Sequence, residues 1–161
     1  MSRERKQLGK IYQDHYKTGV GAEVGCLRGE FSKFLSTQYK GAILSIDSFV
    51  GESNMPDDLS TEDKCRKNLD RTNCQLIKGD SIEVASMIPN ESLDWVYIDA
   101  NHNDPYVTQD IEEWTKKVRP GGMVSGHDYI KKGEDDEEGD PGTDDEHGGD
   151  DERQRALDTH H

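Results

Sequence analysis

Two hydrophobic rhythms alternate along the chain as far as Tyr129. Over residues 3–17, Leu8, Ile11 and Tyr12 recur at helical spacing, with His15 in line with them. "GVGAEVGCL" then gives a short apolar run behind a glycine, the pattern of a buried strand. "GEFSKFLSTQY" returns to helical spacing, with Phe31, Phe34 and Leu35 on one face. "GAILSIDSF" reads as a second strand closed by Asp47, and "GESNMPDDLS" as a loop. Ser60 is placed to cap the helix "TEDKCRKNLDR", with Asp63 three positions on. "CQLIKGD", "SIEVASMI", "SLDWVYIDA", "DPYVTQDIEEWTKKV" and "RPGGMVSGHDY" continue as strand, helix, strand, helix and strand. Pro105 falls near the first turn of the last helix, where its missing N–H does no harm.

Strands alternating with helices build βαβ units with right-handed crossovers. The expected fold is α/β: a Rossmann-like, doubly wound parallel sheet of about five strands with helices on both faces. Beyond Tyr129 the rhythm ends. "KKGEDDEEGDPGTDDEHGGDDE" holds almost nothing apolar and cannot bury enough surface to offset ordering entropy. The expected division is a domain over 1–130 and an acidic disordered tail over 131–161. A calcium site in the tail is the weaker reading, because the EF-hand spacing is absent.

Charge sharpens that division. Residues 133–161 hold 13 acidic and two basic side chains, while the other 132 residues hold 21 acidic and 18 basic ones. The body is therefore close to neutral, and the net charge of −14 belongs mostly to the tail. Neither part carries a basic patch, which argues against a nucleic-acid partner. No apolar run is long enough to span a membrane, and "MSRERKQLGK" lacks the apolar stretch of a signal peptide. Cys26, Cys65 and Cys74 are odd in number and lack a CxxC spacing, so reduced thiols in a cytoplasmic protein are expected.

Candidate chemistry gathers where strands end. Glu23-Val24-Gly25-Cys26-Leu27-Arg28-Gly29 follows the first strand and opens a helix. Its glycines let a ligand approach the backbone and the helix N-terminus offers free N–H groups; an ordinary strand-to-helix turn would look the same. Asp47 closes the second strand, where a carboxylate can accept both ribose hydroxyls of a nucleoside cofactor. Asp80 and Ser81 follow the third strand, placed either to border an adenine or to cap the next helix. Asp99 closes the fourth strand, with His102 three positions on; Gly126-His127-Asp128-Tyr129 closes the fifth. In an open parallel sheet ligands gather outside the carboxyl ends of the strands. Asp99 and Asp128 would then face one edge as a hard-cation site suited to Mg²⁺. His102 could serve as general base near neutral pH. The bland alternatives are that Asp99 caps the next helix and that His127 packs against it.

"AEVGCLRGEFS", "ILSIDSF", "KGDS", "WVYIDANHNDPYVTQDIEEW" and "RPGGMVSGHDY" follow one another in the order and spacing of a known family. Over residues 8–130 the chain resembles the class I S-adenosylmethionine-dependent methyltransferases, most closely the small-molecule O-methyltransferase branch that includes macrocin-type enzymes. The resemblance implies S-adenosyl-L-methionine as cofactor, with or without Mg²⁺. It assigns the methionine part of the cofactor to Glu23, Gly25 and Gly29, the ribose to Asp47 and the adenine to Asp80 and Ser81. In metal-dependent relatives such as catechol O-methyltransferase, the places of Asp99, His102 and Asp128 hold a metal carboxylate, a catalytic lysine and a second metal carboxylate. Tyr129 stands where those relatives offer an amide ligand. The family sheet has seven strands, and its last two form an antiparallel pair where this chain carries its acidic tail.

The function this implies is methyl transfer to a hydroxyl of a small metabolite or sugar, with His102 and Asp99 catalytic, Asp99 and Asp128 holding any metal, and a homo-oligomer as a possible assembly. Two further readings stand beside it. One is a non-catalytic nucleoside-binding or interaction module with an acidic tail. The other is a hydroxylase relative that holds iron through His102, His127 and Asp128, for which the facial spacing is poor.

Overall fold

The computed structural model describes residues 1–50, 60–99 and 106–126 of the 161. Ten elements alternate along them. They are α1 (Arg3–Tyr16), β1 (Val20–Val24), α2 (Glu30–Gln38), β2 (Ala42–Asp47), α3 (Thr61–Leu69), β3 (Cys74–Lys78), α4 (Ser81–Met87), β4 (Leu93–Ile98), α5 (Tyr106–Lys117) and β5 (Val118–Gly126). The five strands form one parallel sheet in the order β3-β2-β1-β4-β5. This is the expected doubly wound arrangement. The direction of winding reverses between β1 and β4, which makes the carboxyl ends of those two strands the switch point of the sheet.

Burial follows strand position. The central strands β1 and β4 are almost wholly buried, which is why their sequences read as near-continuous apolar runs broken only by Glu23 and Asp94. Edge strands β3 and β5 are half-buried or exposed along most of their length. Pro120 lies in β5, at an edge, where its missing N–H is tolerated. The Pro120-Gly121-Gly122 stretch coincides with a register shift: Leu93 pairs with Val118, but Trp95 pairs with Met123.

Each face of the sheet has its own core. On one, Ala22, Val24, Ile46, Val96 and Ile98 pack with Val84 and Ala85 of α4 and Trp114 of α5. On the other, Ile43, Trp95 and Tyr97 pack with Tyr12 of α1 and Phe31 and Leu35 of α2. The period-two alternation of strand side chains produces this division. Trp95 stacks on Tyr12 with ring centroids 4.1 Å apart, and a Cβ on Gly21 would overlap the Trp95 indole. Gly21 is therefore the gap in β1 that admits the largest side chain of β4.

Helix ends follow their capping residues. Ser2 and Ser60 each accept an N–H of the first turn, from Arg5 and Asp63, and the Ser60 hydroxyl also bonds the Asp63 carboxylate at 2.7 Å. His15 departs from expectation: it is exposed rather than on the apolar face, and its Nδ1 lies 2.9 Å from the Ile11 carbonyl oxygen. β1 also stops sooner than the apolar run suggested, because Gly25 takes φ 88° and ends the extended backbone at Val24.

Candidate active site

The carboxyl ends of β1 to β4 open onto one cleft of about 990 Å³. Gly25 lines it from β1, Asp47 from β2, Asp80 and Ser81 from the turn after β3, and Asp99 from the end of β4. These five expected residues thus share one cavity. A smaller recess of about 170 Å³ is bordered by Glu23, Gly25 and Asp99, with Arg5 of α1 and Phe31 of α2. Gly29 lies outside the lining of both. It sits at the N-cap of α2 with φ 71°, and a Cβ there would come within 3.0 Å of the Cys65 sulfur and 3.1 Å of Leu69. Its place in the site is to shape the turn. His102, His127, Asp128 and Tyr129 lie outside the described residues, and so does Pro105.

The turn between β1 and α2 is tied to β2 by backbone bonds. The amides of Gly25 and Cys26 both donate to the Ile46 carbonyl oxygen, at 2.8 and 3.0 Å. The next amide, from Leu27, donates to Asp47 Oδ2 at 2.7 Å, and Phe49 N–H donates to Asp47 Oδ1 at 2.8 Å. Each oxygen of Asp47 therefore holds one backbone N–H and keeps acceptor capacity toward the cleft. Leu27 has φ 50°, a left-handed conformation that points its amide at that carboxylate.

Glu23 lies on the α1/α2 side of the sheet and is 1% exposed. The Ser32 hydroxyl donates to its Oε2, and Ser32 and Ser45 hydroxyls lie 2.6 Å apart, so a chain of polar groups runs from β1 through α2 to β2. Burial pushes the Glu23 carboxyl up to about 7; the Ser32 bond and Arg5 pull the other way, and Asp99 adds to the rise. The Arg5 guanidinium reaches Asp99 Oδ2 at 3.2 Å and Glu23 Oε1 at 3.9 Å. It also stands over the rings of Phe31 and Tyr97, at 4.2 and 5.1 Å from their centroids. One cation thus serves two carboxylates at the switch point.

At the other end of the cleft, Asp80 Oδ1 accepts the amides of Ile82 and Glu83, at 2.9 and 3.3 Å, and so caps α4. Ser81 Oγ donates to Asp110 and accepts from Trp114 Nε1 at 2.8 Å. Burial raises the pKa of Asp110, which lines the cleft from α5.

Arg5, Ser32 and Asp110 were not among the expected site residues. Ser32 and Asp110 were traceable in principle, since each is a polar residue on the buried face of an amphipathic helix, Asp110 four positions before Trp114. Arg5 had no such signal, because its partners come from β1, α2 and the end of β4, all distant from α1 in sequence.

A family model described as "Methyltransferase domain" matches residues 22–129. No curated protein sequence matches the chain significantly. Among solved structures, precorrin 8W decarboxylase from Methanobacterium thermoautotrophicum is similar at 22% identity and a TM-score of 0.55, over 77% of this chain and 62% of that one. A candidate caffeoyl-CoA O-methyltransferase from Staphylococcus aureus is similar at 16% identity and a TM-score of 0.59, over 77% and 56%. A SAM dependent methyltransferase from Archaeoglobus fulgidus is similar at 21% identity and a TM-score of 0.54, over 76% and 51%. This chain thus spans less than two thirds of the length of each. At these identities the likeness carries the fold, and one fold hosts many chemistries.

Proposed function

Since the chain belongs to the methyltransferase-domain family, we propose that it transfers a methyl group from S-adenosyl-L-methionine to a hydroxyl of a small metabolite or sugar. One arrangement carries this reading: the ends of four parallel strands bring Gly25, Asp47, Asp80, Ser81 and Asp99 to a single cleft at the switch point. The volume, about 990 Å³, lies at the upper end of the range for small-molecule sites. The residues fit the cofactor. Gly25 leaves bare backbone, and Asp47 keeps acceptor capacity on both oxygens for a ribose diol. Glu23 and Gly25 would border the methionine part, with Gly29 holding their turn in shape. Asp80 and Ser81 would border the adenine.

Bound there, S-adenosylmethionine would supply an electrophilic methyl group on its sulfonium sulfur. The chain's part is to orient the acceptor hydroxyl and remove its proton. Asp99, at the end of β4, is the carboxylate we assign to orienting the acceptor. His102, three positions on, is assigned to take the proton, a role suited to an imidazole near neutral pH. Holding the two reactants in line turns a bimolecular encounter into an effectively unimolecular step.

A magnesium ion would draw on Asp99 and Asp128. Asp128 lies outside the described residues, and the Asp99 carboxylate is engaged by the Arg5 guanidinium. The described half of that donor set fits a dication poorly, and we write the reaction without a metal. Among the described residues no cluster of three or more His, Cys, Asp or Glu side chains could hold one, and no helix among them is long and apolar enough to cross a membrane.

The test is radiolabelled methyl transfer to a panel of catechols and sugars, with and without EDTA. Transfer insensitive to EDTA is expected, with kcat reduced about 10²- to 10⁴-fold in His102→Ala. Transfer only to nitrogen or carbon acceptors would overturn the hydroxyl assignment. Failure to bind S-adenosylhomocysteine at all would overturn the cofactor assignment.

A further inference from the structure

Cys26 and Cys65 face each other across the base of the cofactor turn. Their sulfurs lie 3.7 Å apart in a buried thiol–thiol hydrogen bond. Cys26 is 4% exposed and Cys65 0%. Cys26 belongs to the Gly25–Leu27 turn, and Cys65 to α3. α3 is docked on that turn at two further points: Asn68 Nδ2 donates to the Arg28 carbonyl oxygen at 2.9 Å, and Leu69 packs beneath Gly29. Cys26 also borders the 170 Å³ recess that it shares with Glu23 and Asp99. A small solute in that recess meets the Cys26 side of the pair.

We propose that Cys26 and Cys65 are an oxidative modification site: a mild peroxide joins them in a disulfide that displaces the cofactor turn and weakens nucleoside binding. The second half rests on the cofactor reading given above. Peroxide entering the recess meets Cys26. The sulfur attacks one peroxide oxygen, the O–O bond breaks, and Cys26 becomes a sulfenic acid as one water leaves. Cys65 then attacks the Cys26 sulfur, the S–O bond breaks, and the hydroxyl departs with the Cys65 proton as a second water. Two thiols lose two electrons and two protons to one hydrogen peroxide. The shared hydrogen bond, with burial, holds the Cys26 pKa above its ordinary value and draws the Cys65 pKa below it, so the first attack by Cys26 is the slow step and Cys65 is suited to the second.

The geometry supplies the coupling. A disulfide needs its sulfurs about 2.05 Å apart, so the pair must close by about 1.7 Å. Cys26 is bonded through its amide to Ile46, and its neighbour Leu27 through its amide to Asp47. Drawing Cys26 toward α3 pulls on both bonds. The first to change is the one that aims the Asp47 carboxylate, because Leu27 already sits at φ 50°. A ligand in the recess would block the approach of peroxide to Cys26. Cys74 is an internal control: it is more accessible than the pair, and its Sγ–H donates to the Ser32 carbonyl oxygen at 3.4 Å.

The experiment treats the full chain with hydrogen peroxide, then reads intact mass, non-reducing peptide maps and S-adenosylhomocysteine binding by calorimetry. The expected result is a loss of two hydrogens mapped to a Cys26–Cys65 link. A weakening of binding by about tenfold or more, restored by dithiothreitol, should accompany it. Cys74→Ser should still form the link. Cys65→Ser should bind as the wild type does and lose the response to peroxide; Cys26→Ser gives the same mass readout should that variant fail to fold. Modification of Cys74 with Cys26 and Cys65 still free would overturn the proposal, as would a link that leaves affinity unchanged. If the reduced chain binds no S-adenosylhomocysteine, the cofactor reading and the binding half of the proposal both fail. The oxidation site is then judged on the mapped link and on hydrogen exchange of residues 24–35, and an unchanged exchange pattern would overturn it.

Discussion

Glu23→Gln isolates what a buried carboxyl at the switch point does to stability. Glu23 is 1% exposed, and burial raises its pKa from an ordinary 4.5 to about 7. The folded chain therefore holds this proton more tightly than the unfolded chain. Where the unfolded state binds fewer protons, stability falls as pH rises. The contribution is fully favourable below pH 4.5, declines between 4.5 and 7, and is lost above 7. The full difference of about 2.5 pKa units corresponds to roughly 3 kcal/mol. Between pH 5 and pH 8 the linkage integral gives about 2–3 kcal/mol. Glutamine has the shape of the protonated acid, and its carbonyl can still accept from Ser32. Urea unfolding of both proteins at pH 5 and pH 8 measures the effect. The two should differ by less than about 1 kcal/mol at pH 5, and the variant should be the more stable by about 2–3 kcal/mol at pH 8. Parallel pH profiles would refute the argument. A wild type that gains on the variant as pH rises would reverse its sign.

Two further substitutions test the fold and the rim. Gly21→Ala should destabilise the chain by at least the 1–3 kcal/mol typical of overpacking, because its Cβ overlaps the Trp95 ring; thermal unfolding reads the loss, and a neutral result would mean Trp95 moves freely. Asp47→Ala should weaken S-adenosylhomocysteine binding about 100-fold or more while costing about 1–2 kcal/mol of stability, from two backbone amides left without their acceptor; calorimetry beside urea unfolding separates the two effects.

The sheet was legible because it is parallel. Its central strands are buried on both faces, so "GAEV" and "LDWVYI" are unbroken enough to stand out from the amphipathic helices. Most strand ends were legible for the same reason: β2 stops at Asp47, β4 gives way to Asp99 and β3 to Gly79-Asp80, and parallel strands aim those stops at one rim. Local geometry was harder to read. His15 shares the helical spacing of Leu8 and Ile11, yet one step of rotation leaves it in solvent. β5 begins at Val118, ahead of the Pro-Gly-Gly stretch, because an edge strand tolerates a proline and a register shift that a central strand would not. The polar interior was hidden because it is assembled across the sheet. Arg5 meets Asp99 only once α1 has packed over β1 and β4, and the Ser32–Glu23 and Ser81–Asp110 bonds join residues from different elements. No spacing rule within one element reveals such a pair.

The most direct measurement is a crystal structure grown with S-adenosylhomocysteine. The ribose hydroxyls should lie within hydrogen-bonding distance of Asp47, with the amino-acid end over Gly25 and the adenine beside Asp80 and Ser81. A ligand seated elsewhere on the chain, or a cleft that stays empty at saturating ligand, would contradict the claim that four parallel strand ends form one cofactor site.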